Sequence, residues 1–162
     1  MPQNARFPDH LKAYEVLDLV EDVRGQKRQR HDELVEIFKL GPELHKKIRV
    51  LSGGTKQKLS AMLALMFQPE ILILDEPTAG LDPVSSRKFK DLLVEQCRLG
   101  KTVVLTSHII SEVEELAQDI AFLFEGKILY SGTVDELKKE TTEDNLESAI
   151  AELMTNGRAC KK

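Results

Sequence analysis

Two short aliphatic runs, in ILILDE (Ile71–Glu76) and TVVLTSH (Thr102–His108), leave few folds open to this chain. Neither run alternates with polar residues, so each is expected to form a strand buried on both faces, as in parallel sheets. The segment between them is punctuated as a helix. Asp82 stands at a capping position before Pro83, Phe89, Leu92 and Leu93 recur at helical spacing, and Gly100 closes the stretch. Strand, helix and strand in that order need a right-handed crossover, which makes the middle of the chain α/β with a parallel sheet.

Upstream the pattern is helical. Tyr14, Leu17 and Val20, with Val16 and Leu19 beside them, precede Gly25, and Leu34, Ile37 and Phe38 precede Gly41-Pro42. Two short helices joined by a charged connection are expected. Another helix follows Ser52, with Leu59, Met62, Leu63 and Met66 as its stripe, and stops before Pro69. Downstream, Ser111 with Glu114 has the pattern of a capping-box start, and Ile120–Phe124 with Ile128–Tyr130 that of a hairpin about Glu125-Gly126-Lys127. Thr133 with Glu136 repeats the capping box, and Leu146, Ile150 and Leu153 mark a last amphipathic helix closed by Gly157.

At 162 residues, 41% of them hydrophobic and 31% charged, the chain is long enough to bury a core. Its formal net charge of −4 offers no basic field, so no nucleic-acid partner is expected. Cys97 and Cys160 lie far apart without metal-ligand spacing, which suits a reducing cytosolic setting. No apolar run approaches the ~20 residues of a membrane span, and MPQNARFPDH lacks a signal-peptide pattern, so any membrane connection is expected to run through a partner.

Ligands of parallel α/β sheets gather at the carboxyl ends of strands, where Asp75-Glu76 and Ser107-His108 fall. Adjacent carboxylates there suit a phosphate-and-magnesium site, one holding Mg²⁺ and the next orienting or deprotonating water. An acidic turn introduced by Pro77 has the same appearance. A histidine at a strand end suits a γ-phosphate contact and equally a solvent-facing residue. Ser52-Gly53-Gly54 opens a helix with bare backbone, which is either an anion site built from unpaired N–H groups and the helix dipole or a flexible entry that Ser52 merely caps.

Order along the chain separates these alternatives. LSGGTKQK, ILILDE, PTAGLD and TSH resemble, in sequence and spacing, the signature motif, Walker B strand, following loop and switch-histidine segment of the ATP-binding subunit of ABC transporters. The resemblance implies a P-loop NTPase fold, a RecA-like parallel sheet here truncated, with an α-helical subdomain. It implies ATP and Mg²⁺ as cofactors: Asp75 would bind Mg²⁺, Glu76 would be the general base, and His108 would approach the γ-phosphate. Ser52, Gly53 and Gly54 would serve a nucleotide held by a second nucleotide-binding domain in a head-to-tail dimer, and Asp82 would sit in the loop contacting that subunit. MPQNARFP resembles the family's glutamine loop, with Gln3 a ligand of Mg²⁺ or of the lytic water.

On that basis residues 1–50 form the glutamine loop and helical subdomain, 51–132 the signature, Walker B and switch-histidine part of the core, and 133–162 the C-terminal helices. The implied partner is a transmembrane permease subunit, which would hold the chain on the cytoplasmic, inner face of the cell membrane. LSGGTKQK, GLDP and YSGTVDEL come closest to exporter-type subunits.

Two departures stand out. Thr55 occupies the fifth signature position, where Gln is commonest, and no GxxxxGK[ST] occurs in the 162 residues. In the family's sheet the phosphate-loop strand separates the strand carrying His108 from the one at Ile120–Phe124. Without it an exposed edge, a marginally folded or aggregation-prone chain and no ATPase activity in isolation are expected, although the chain retains what completes a partner's site. Two alternatives are the C-terminal lobe of a soluble chromosome or DNA-repair ATPase, which a long heptad coiled coil would precede, and a non-catalytic interaction module.

Overall fold

The computed structural model describes residues 1–156. Contacts divide the chain into two units, Met1–Thr106 and the residues from Ser107 onward. In the first, α1 (Ala13–Arg24) ends where Gly25 takes a left-handed φ of 61° and donates its N–H to Asp22. After α2 (His31–Ile37) come two single 3₁₀ turns, Gly41–Glu43 and Ile48–Val50, then α3 (Gly53–Leu65), β1 (Ile71–Asp75), α4 (Pro83–Arg98) and β2 (Thr102–Thr106). The stripes anticipated from spacing face inward: Leu17, Leu34, Phe38, Leu59, Met62, Phe89 and Leu93 are fully buried. The last residue of α1 and the connection to α2 are tied to the residues just after α3, the Arg24 guanidinium lying 4.7 Å from the Phe67 ring centre and the Gln29 N–H 2.7 Å from the Met66 carbonyl.

β1 and β2 pair in parallel, from Ile71 opposite Thr102 to Asp75 opposite Thr106. The expectation of strands buried on both faces is corrected. Leu72 and Leu74 are 3% and 1% exposed, whereas Ile71 and Ile73 on the opposite face are 62% and 68% exposed. Successive side chains of a strand point to opposite faces, and among the described residues only one face of this two-stranded sheet is covered. Both strands also stop short of the segments read as strands, Ile71–Glu76 and Thr102–His108, β1 ending at Asp75 and β2 at Thr106. The far edge of β1 meets Met1, whose amino group donates to the Ile73 carbonyl at 2.7 Å and whose carbonyl accepts the Asp75 N–H at 2.9 Å.

The second unit runs α5 (Ile110–Leu116), β3 (Asp119–Phe124), β4 (Lys127–Thr133), α6 (Val134–Thr141) and α7 (Leu146–Asn156). β3 and β4 form the anticipated hairpin, turning through Glu125 and Gly126 at φ 49° and 76°, the two left-handed residues of a tight turn. Thr133 caps α6 reciprocally: its N–H reaches Glu136 Oε2 at 3.0 Å while its Oγ1 accepts the Glu136 N–H at 3.1 Å. Tyr130, Leu137, Leu146, Ala149 and Ile150 form its core. The expected start of α5 at Ser111 is corrected. Ser107 Oγ accepts the Ile109 N–H at 3.1 Å, and the helix begins at Ile110 with Ser111 already inside it.

Gly157, expected to close the last helix, and Cys160 lie outside the described residues. Among the described residues β2 pairs with no strand but β1, and β3 with none but β4. No described helix is long and apolar enough to cross a membrane.

Candidate functional site

At the head of α3, Ser52 adopts an extended conformation and caps the helix, its Oγ accepting the Thr55 N–H at 3.1 Å. Thr55 Oγ1 lies 2.8 Å from the same oxygen, so the residue that departs from the family pattern acts directly on the capping serine. The amides of Gly53 and Gly54 precede any intrahelical acceptor and lie at the positive end of a 13-residue helix dipole, as an anion site requires. The two glycines are not equivalent. A Cβ on Gly54 would lie 2.7 Å from the Gly80 carbonyl oxygen, whereas one on Gly53 would meet nothing within 4 Å. Gly54 is therefore demanded by close approach of two backbones.

The loop that Gly54 touches follows the carboxylates. Thr106 Oγ1 donates to Asp75 Oδ1 at 2.6 Å, and the Thr106 carbonyl accepts the Glu76 N–H at 3.1 Å, so one residue at the end of β2 holds the Asp75 carboxylate and the Glu76 backbone. Glu76 turns the chain sharply with φ 46°. From α3 the buried Gln57 donates Nε2 to the Pro77 carbonyl at 3.3 Å and, more weakly, to the Glu76 carbonyl at 3.5 Å.

Asp82 caps α4, accepting the Ser85 N–H at 2.9 Å and the Ser85 hydroxyl at 2.8 Å, and pairs with Lys58 Nζ at 2.7 Å. Lys58 foremost, then Ser85, holds its carboxyl well below the usual carboxylate range. A folded-state value below the unfolded one gives stability that is full above about pH 4 and drains away as pH falls toward the folded value. In acid titrations followed by circular dichroism, Asp82→Asn is expected to start less stable near neutral pH and to lose less between about pH 4 and 2. Parallel pH profiles of variant and wild type would remove Asp82 from the acid response.

Gln57, Lys58 and Thr106 lie within LSGGTKQK and TSH, but motif and spacing give none of them a role. For Gln57 a signal exists: it sits three residues before Ser60 and four before Ala61, on the buried side of α3, where a polar side chain implies a hydrogen bond. The other candidates fall as follows. Gln3 is exposed and follows Met1, whose pairing with β1 brings the start of the chain beside the strand that ends in Asp75. His108 is exposed and belongs to the second unit, two residues past β2, whereas the other candidates, Gln3, Ser52, Gly53, Gly54, Asp75, Glu76 and Asp82, all fall in the first unit.

No group of three or more His, Cys, Asp or Glu side chains gathers among the described residues. Asp75, its Oδ1 held by Thr106, and the adjacent Glu76 supply two carboxylates at the strand end, which fits Mg²⁺, an ion commonly held by one or two carboxylates, waters and the phosphates of a nucleotide.

A glycine-opened helix terminus packed on the loop behind a strand-end acid pair, in a parallel α/β unit, defines a nucleotide-handling class of fold. Residues 1–79 match the family model described as ABC transporter. The daunorubicin resistance ATP-binding protein DrrA3 of Streptomyces coeruleorubidus is 38% identical over 132 residues, covering 82% of this chain and 42% of its own. The lantibiotic transport ATP-binding protein SrtF of Streptococcus pyogenes is 35% identical, over 78% of this chain and 55% of its own. A solved ATP-binding subunit of an ABC transporter superposes with a TM-score of 0.86 at 25% identity, over 94% of this chain and 66% of that one. The chain belongs to the ABC transporter ATP-binding family and carries part of its P-loop NTPase domain, spanning about two fifths of the length of relatives such as DrrA3.

Proposed function

We propose that this chain is the signature-bearing part of an ABC-type ATPase that binds ATP with Mg²⁺ and energises transport through a transmembrane permease subunit, on the cytoplasmic face of the cell membrane. The observation that carries this reading is the packing of the Ser52–Gly54 terminus against the Gly80 backbone, directly behind Asp75 and Glu76. The Gly53 and Gly54 amides would grip the γ-phosphate of a nucleotide held by a second, head-to-tail nucleotide-binding domain. Asp75, oriented by Thr106, would hold Mg²⁺, which polarises the phosphate oxygens when bound. Glu76 would take the proton of the attacking water, Gln3 would contact Mg²⁺ or that water, His108 would approach the γ-phosphate, and Asp82 would lie in the loop facing the partner. Names such as daunorubicin resistance and lantibiotic transport among the relatives support an exporter-type role. The helices preceding the signature segment are 12 and 7 residues long, which favours a transporter subunit over a coiled-coil chromosome or repair ATPase.

Phosphoryl transfer rests on positioning and electrostatics, and no GxxxxGK[ST] occurs in the 162 residues. The purified polypeptide is therefore expected to hydrolyse no ATP alone. It is expected to form a mixed dimer with a phosphate-loop-bearing domain of the family when Mg·ATP is added, seen by light scattering after size exclusion. Turnover by the chain alone that Glu76→Gln abolishes would overturn the first expectation. A folded chain that ignores such partners with and without Mg·ATP would overturn the second.

A further inference from the structure

We propose that Gln57 is the positioning residue for Glu76, and that with Lys58 it locks the glycine-bearing terminus of α3 to the loop carrying that carboxylate. The proposal rests on Glu76 being the base and adds what holds it there. Glu76 has a left-handed backbone at φ 46°, which a side-chain-bearing residue keeps only when its surroundings over-determine it. On the amide side the Thr106 carbonyl accepts its N–H at 3.1 Å. On the carbonyl side the Ala79 N–H donates to the Glu76 oxygen at 3.1 Å, and Gln57 Nε2 approaches that oxygen at 3.5 Å and the Pro77 oxygen at 3.3 Å. One carboxamide nitrogen, which carries two hydrogens, thus lies within reach of two successive carbonyls. Gln57 is 5% exposed, so water has little access to replace it.

Two further contacts flank this one. Gly54 abuts the Gly80 carbonyl, and Lys58 Nζ holds Asp82 at 2.7 Å. A little over one turn of α3, from Gly54 to Lys58, thus grips the loop at its beginning, middle and end. The terminus shaped for one nucleotide cannot shift without moving the carboxylate that serves another.

The test is nuclear magnetic resonance on the isotope-labelled 162-residue chain without nucleotide. In the wild type, Glu76 should show the strong intraresidue amide-to-Hα Overhauser effect of positive φ, and the Gln57 carboxamide protons should exchange with water at least tenfold more slowly than those of the exposed Gln68. In Gln57→Leu, which keeps the bulk and loses the donors, exchange of the Ala79 and Leu81 amides should rise about three- to tenfold and the Glu76 signature should weaken, while the β1–β2 ladder stays unchanged. A Gln57 carboxamide that exchanges like that of Gln68 overturns the proposal with no variant at all, and an unaltered loop in Gln57→Leu overturns it equally. Because no nucleotide is present, a failed Mg·ATP dimerisation leaves this outcome standing, and a failure here leaves the dimerisation result intact.

Discussion

Gly54→Asp is expected to abolish the Mg·ATP-dependent association of this chain with a phosphate-loop-bearing partner, weakening it by on the order of 100-fold or more. Two effects combine. A carboxylate at the helix terminus occupies the field that favours phosphate and repels the nucleotide, and its Cβ would lie 2.7 Å from the Gly80 carbonyl oxygen, forcing the loop behind Glu76 to move. Alanine separates the two. Gly53→Ala has open space, keeps its backbone N–H and restricts the unfolded chain, so the fold should hold or tighten. Gly54→Ala carries the steric effect without the charge and should loosen residues 76–82 while leaving the electrostatics untouched. Light scattering reads association, and hydrogen exchange across 76–82 reads the loop. Equal behaviour of the two alanine variants would show that the Gly54–Gly80 approach does not matter.

Phe38→Ala is expected to destabilise the first unit by about 3–5 kcal/mol, the usual cost of emptying a fully buried aromatic site. Phe38 and Phe89 are both completely buried and their rings meet tilted at 6.0 Å, which joins the segment after α2 to α4. The loss includes apolar burial, a cavity that rigid neighbours fill only in part, and an aromatic pair of about 0.5–1.5 kcal/mol. Against a domain stability of roughly 5–15 kcal/mol, and with a sheet that leaves Ile71 and Ile73 exposed, this should bring the unit near the point of unfolding. Urea titration should show a fall in midpoint at unchanged slope, whereas Val23→Ala, at a position 80% exposed, should stay within about 0.5 kcal/mol of wild type. A loss below about 1 kcal/mol for Phe38→Ala would mean that this ring pair is not part of a close-packed core.

The sequence by itself determined what acts over a few residues. Gly25 ends α1, Ser52 and Asp82 cap α3 and α4, Pro83 opens its helix, Glu125-Gly126 turns the hairpin and Thr133 with Glu136 caps α6, because each needs only backbone groups within three or four positions. The order of strand, helix and strand likewise determined a parallel pair and the position of Asp75 and Glu76 at its carboxyl end.

Tertiary structure alone decided which face of β1 is buried, since an unbroken aliphatic run reads the same whether one face or both are covered. It also decided why Gly54 is glycine and what holds Glu76. Gly54 meets Gly80, Gln57 meets Glu76 and Pro77, Lys58 meets Asp82 and Thr106 meets Asp75, partners between 19 and 31 residues apart, and no local pattern encodes a contact made only when the chain has folded back on itself.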